Sequence, residues 1–185
     1  MIFTDTGTMK NGKSKKGAQK TSLERRYQRA SCDFPADFVW GTINHNARIK
    51  VLSIGGCFLA GDVIVPPQEE VELSFNMGPG SKRVKCRGKV VWISEKGVPV
   101  SGDEKYKGFA VEFKRMYPED RAIIDDYVKK QNRIFKTINH ELNKSKPDKA
   151  LIKELFARVY PEDSTHLNHI KKVVREELRY FRLRR

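Results

Sequence analysis

The sequence predicts a mainly β protein with α: a six-stranded antiparallel β-barrel, then a long helix, then a C-terminal helical extension. Three observations predict it. Short β-type runs recur from about residue 31 to 113, turn-forming residues separate them, and the apolar period changes from two to three-and-four after Pro118.

The strand candidates are "CDFPADFVW", "ARIKVLS", "GCFLA", "EVELSFN", "RVKCRGKVVWI" and "KGFAVEF". Between them "GTINHN", "IGG", "VPPQ", "NMGPGS" and "EKGVPVSGD" supply the Gly, Pro, Asn and Ser that tight reversals need. No helical pattern intervenes, which favours an antiparallel barrel over a βαβ sheet. Trp40 and Trp92 lie in these runs and are expected to pack in the core or at the barrel rim.

From Pro118 onward, Ile123, Ile124, Tyr127, Val128, Ile134, Phe135, Ile138 and Leu142 describe one amphipathic helix, and Pro118 suits its first turn. Two further helical stretches follow, marked by Leu151, Ile152, Leu155, Phe156 and Val159, then by Leu167, Ile170, Val173, Val174, Leu178 and Phe181. Residues 1–22 have too few large apolar side chains to offset the entropy of ordering. The expected organisation is a disordered basic leader at 1–22, a barrel with its helix at 23–143, and a helical extension at 144–185.

A formal net charge of +14 over 185 residues points to an anionic partner: nucleic acid, a nucleotide, an acidic protein or a lipid surface. Its distribution narrows the choice. Residues 1–30 carry 8 basic and 2 acidic side chains, 31–143 carry 17 and 15, and 144–185 carry 12 and 6. A nearly neutral globule with basic ends is unlike a domain whose whole face follows a phosphate backbone, so nucleic acid is not the expected partner. No stretch approaches a membrane span and no signal peptide is evident, so a cytoplasmic protein is expected. Cys32, Cys57 and Cys86 sit in apolar runs without metal-ligand spacing and read as buried thiols.

"LERRYQRA" crowds Arg25, Arg26 and Arg29 just before the first strand. Guanidinium groups grip phosphate or the O6/N7 edge of guanine in a two-pronged fork, although such a cluster can also be a solvated charge run. Downstream comes "RIKVLSIGGCFLAG". Arg25-x-x-x-Arg29 followed by Ser53-x-x-Gly56 in a β context resembles the PilZ domain, the bacterial receptor module for cyclic di-GMP. "VPPQEEVELSFN", "CRGKVVWI" and "KGFAVEFKRMYPEDRAIIDDYV" continue the likeness in the same order, over roughly residues 23 to 130.

The resemblance implies a six-stranded barrel with a following helix, and a ligand but no catalysis. On it, Arg25 and Arg29 are the clamping pair and Arg26 a helper. Ser53 hydrogen-bonds base or phosphate, and Gly56 allows close backbone approach. One position departs: the family's Asp or Asn is Val51 here, which has no acceptor for guanine's N1–H and amino group. Binding weaker by roughly ten- to hundred-fold follows if those donors end unpaired. The alternative is a ligand-independent protein-interaction adaptor.

No arrangement of nucleophile and base has informative spacing, so no catalytic residue is assigned and no enzyme is expected. His166 and His169 lack a third ligand, and neither a metal nor a cofactor beyond the cyclic di-GMP ligand is expected. The helices of 118–185 carry more apolar face than a small barrel obviously covers. They are expected to form their own layer or to meet a protein partner or a second copy.

Overall fold

A computed structural model describes residues 27–78, 80–99, 105–161, 163 and 166–181. The leader expected at 1–22 therefore lies outside the described residues, as do Arg25 and Arg26. Six strands, β1 (Arg29–Trp40), β2 (Ile43–Ser53), β3 (Gly56–Ala60), β4 (Glu70–Phe75), β5 (Val84–Pro99) and β6 (Lys105–Met116), precede three helices, α1 (Pro118–Leu142), α2 (Lys149–Ala157) and α3 (Leu167–Phe181). The strands pair antiparallel in the cyclic order β1-β2-β3-β6-β5-β4, and β4 returns to β1 to close the barrel.

Alternation drives closure. Along β4 the pattern is exposed, buried, exposed, buried, so Val71, Leu73 and Phe75 point inward. They meet Phe38 and Ala36 of β1, Ile49 and Leu52 of β2, Leu59 of β3 and Phe109 and Val111 of β6. Phe38 and Phe109 meet edge to face at 5.3 Å. Pro35, which has no N–H for a ladder, falls just before the stretch Ala36–Val39 that pairs with β4.

The chain enters α1 as the sequence suggests, with Pro118 in the first turn and Glu119 and Asp120 favouring the helix dipole. Asp120 does more than that. Its buried carboxylate accepts the backbone N–H of Lys85 at 3.2 Å and pairs with Lys82 at 2.9 Å, tying the helix start to β5. Burial pushes this carboxyl up, but the Lys82 and Lys85 interactions outweigh it and hold it below the usual value.

Ile124 and Val128 of α1 belong to the same apolar core as the barrel interior, and so do Phe135 and Ile138 about two and three turns on, Ile152 and Phe156 of α2, and Ile170, Val173 and Val174 of α3. The apolar stripes of the helices thus cover one another and the barrel, and α3 also packs on β1. Phe34, at a bulge in β1, meets Tyr127 of α1 at 5.2 Å. Among the described residues, no helix is long and apolar enough to cross a membrane.

Two strands differ from expectation. β1 begins at Arg29, so this arginine lies in the first strand and not just before it. β5 runs through "SEKGVP", read above as a turn, and pairs onward with β6 through Val98↔Tyr106 and Pro99↔Lys105 after a register shift at Ser94/Val98. The bulge absorbs the glycine, and partial burial of Val98 and Tyr106 against the cluster on the barrel's outside holds the extension.

Candidate ligand-binding site

The site is built on the β2–β3 hairpin. Ser53 ends β2, Gly56 begins β3, and Ile54-Gly55 make the turn. The Ser53 hydroxyl donates to the Gly56 carbonyl at 2.9 Å, and the residue is only 7% exposed. Neighbours clamp the turn: the Phe113 N–H donates to Gly55 O at 2.9 Å, and the Arg121 guanidinium of α1 donates to Ile54 O at 3.3 Å.

The two glycines are required for packing. A Cβ on Gly56 would run into the Val111 carbonyl oxygen of β6, and one on Gly55 into the Tyr27 ring. The bare backbone at Gly56 therefore lets β3 and β6 approach, a reason beyond the ligand-access role implied by the family. Tyr27 and Arg121, neither marked by sequence reasoning, brace the hairpin from the chain entrance and from α1. Gln28 is held there too, its side-chain Oε1 accepting from the Asn132 side-chain Nδ2 at 3.1 Å.

Arg29 stands opposite Ser53 in the β1–β2 ladder, and Ser53 stands opposite Gly56 in the β2–β3 ladder. Three of the five expected site residues thus form one row across three strands, on the face opposite the core residue Leu52. Beyond Gly56 the row continues to Glu112 of β6, then Lys89 of β5.

Two residues along each strand, or three on β5 where a bulge intervenes, the next outward row has another character. It reads Ser31, Val51, Phe58, Ala110 and Trp92. Val51 is 8% exposed and packs with Phe58, Ala60 and Ala110 in a second apolar cluster, separate from the barrel core, flanked by Val98 and Tyr106. Trp92, 39% exposed, stacks on Phe58 with ring centroids 5.4 Å apart and planes 18° apart. The expectation of core or rim packing for Trp92 is replaced by a position on the barrel's outer wall. Trp40 is partly buried and donates its indole N–H to Glu69 at 3.1 Å.

Charge borders this cluster. Lys50 lies 4.3 Å from the centre of the Tyr106 ring and 2.9 Å from Asp33, which also accepts from Arg48 at 2.5 Å. Partial burial pushes the Asp33 carboxyl up, but hydrogen bonds and charge from Arg48 and Lys50 prevail and leave it below the ordinary value.

The cysteines are free, with Cys57 and Cys86 buried and Cys32 partly so. Burial first, then the Asp120 charge, raises the Cys86 thiol to about 12. His169 lies 2.8 Å from Asp163, and no group of three or more candidate metal ligands occurs among the described residues.

A closed antiparallel barrel with a motif hairpin and a helix packed on it defines a small class of β-barrel modules. The PilZ domain model matches residues 23–130, more than half of the chain, and the chain belongs to the PilZ domain family. No curated protein matches it. Among solved structures it is similar to the Bacillus subtilis inhibitor of motility MotI/DgrA, at 12% identity and a TM-score of 0.50, with 59% of this chain and 51% of that one covered. It is also similar to YcgR from Escherichia coli in complex with c-di-GMP, at 15% identity and 0.51, covering 64% of this chain and 50% of that one. The chain thus spans about half the length of both, and at these identities the likeness is one of fold.

Proposed function

We propose that this chain is a non-catalytic cyclic di-GMP receptor of the bacterial cytoplasm, acting in second-messenger signal transduction. The observation that carries the reading is the single outward row Arg29–Ser53–Gly56, a guanidinium, a hydroxyl and a bare backbone on three neighbouring strands. Arg29, with Arg25 and Arg26 upstream, would grip the two phosphates and a guanine edge through forked hydrogen bonds. Ser53 spends its proton on Gly56 O and so keeps oxygen lone pairs for a guanine N–H. Ligand held by both the Arg-rich segment before β1 and the hairpin would order that segment against the barrel. Tyr27, against Gly55, and Gln28, tied to Asn132, would pass the change to the hairpin and α1.

A second reading is favoured by one observation. Val51 is enclosed by apolar neighbours where the family has an acceptor, and Val91 and Trp92 beside that cluster are exposed. Such a surface suits a ligand-independent adaptor that holds a protein partner or a second copy. Calorimetry on the full chain separates the two. The receptor reading expects saturable binding of cyclic di-GMP, abolished or weakened at least ten-fold by Arg29→Ala; a flat titration of wild type supports the adaptor.

A further inference from the structure

We infer that Glu112 supplies the guanine-edge acceptor that Val51 cannot, making it a specificity-determining residue contributed by β6; the inference rests on the receptor reading above. Glu112 stands directly opposite Gly56 in the β3–β6 ladder, as Ser53 does in the β2–β3 ladder. The hydroxyl and the carboxylate therefore flank a residue without a side chain, on strands about 10 Å apart. A flat base laid over that gap would meet Ser53 on one side and Glu112 on the other.

The chemistry matches guanine. A carboxylate accepts two roughly parallel N–H bonds, and guanine presents N1–H and its 2-amino group side by side. Adenine offers a lone pair at N1 instead, which a carboxylate repels. From Arg29 to Glu112 the row runs cation, hydroxyl, gap, anion, the complement of a nucleotide with its phosphate at one end and its guanine edge at the other.

Glu112 is also available. Its side chain is 51% exposed and pairs with Lys114 at 2.7 Å, itself half exposed. Exposed pairs of this kind hold weakly and exchange readily for a better donor. Asp33, a carboxylate bordering the neighbouring apolar cluster, is engaged by both Arg48 and Lys50. Val51 has no acceptor in any rotamer, and its side chain is packed in the neighbouring apolar row.

The test is calorimetry on the full chain with cyclic di-GMP and cyclic di-AMP, for wild type, Glu112→Gln and Arg29→Ala, with thermal unfolding of each. Wild type should prefer cyclic di-GMP. Glu112→Gln should weaken cyclic di-GMP by roughly ten- to hundred-fold, leave cyclic di-AMP unchanged or bind it more tightly as the repulsion of its N1 lone pair is relieved, and so narrow the preference. Arg29→Ala should weaken both ligands. If Glu112→Gln binds cyclic di-GMP like wild type, or loses both ligands equally, the Glu112 assignment is overturned while the receptor reading stands. If wild type binds neither dinucleotide, the receptor reading falls and takes the assignment with it.

Discussion

Two rows of side chains lie side by side on the outer wall of this barrel, about 7 Å apart along the strands. One is polar, Arg29–Ser53–Gly56–Glu112; the other, Val51–Phe58–Ala110–Trp92, is a small apolar core facing outward. Both share the same strands and the same pleat. What separates them is the β5–β6 extension, whose Val98 and Tyr106 flank the second row and give its apolar side chains a partner. A motif position can therefore lose its acceptor without damage to the fold, because packing takes over the stabilising role there while the adjacent row stays open to chemistry.

The largest expected effect breaks the apolar row. Phe58→Ala removes the ring under Trp92 and the contact with Val51, and should destabilise by about 3 kcal/mol in chemical denaturation. Trp92 fluorescence should shift toward its solvent-exposed form. Val51→Asp places a carboxylate in the same cluster; it should lower the denaturation midpoint before any gain in affinity appears, by about 1–3 kcal/mol.

Next comes the seam between rows. Gly56→Ala drives a methyl group against the Val111 carbonyl, so overpacking of about 1–3 kcal/mol is expected, together with loss of binding. A variant of normal stability that merely bound less well would mean β6 can yield, and that Gly56 serves ligand access more than strand approach.

The smallest effect lies away from both rows. Asp120→Asn should cost about 1 kcal/mol at neutral pH by weakening the link from α1 to β5. The folded carboxyl is held below its ordinary value, so its contribution is complete above the unfolded pKa of about 4 and is lost as pH falls through the lower folded value. The stability difference between the two proteins should begin to shrink near about pH 4 and vanish only once the pH is below the lowered folded value. Ligand affinity should not change.

Much of this was legible in the chain. Period-two alternation marked six strands, the change of period marked α1, and the motif spacing brought Arg29, Ser53 and Gly56 to one row. The outer cluster left a trace as well: "GCFLA" is apolar at both parities, and Cys57 and Leu59 enter the main core while Phe58 and Ala60 enter the outer one. The run alone could not say what covers the second face. Val98 and Tyr106 lie some 40 to 55 positions from Val51 and Phe58, joined through a bulge that local turn chemistry disguised. Likewise Arg121 braces Ile54 from 67 positions away, and nothing in either neighbourhood announces the pairing. Arg29 reads as lying just before the first strand, because its charge outweighs its strand context, but ladder pairing with Ser53 places it in β1.

The central claim is that the polar row receives cyclic di-GMP. Backbone amide shifts of the isotope-labelled full chain, followed through a titration with the dinucleotide, test it most directly. The account predicts saturable shifts at Arg29, Ser53, Gly56 and Glu112, larger than those in the helices. Unmoved amides in that row at millimolar ligand, or shifts confined to other parts of the molecule, would contradict it.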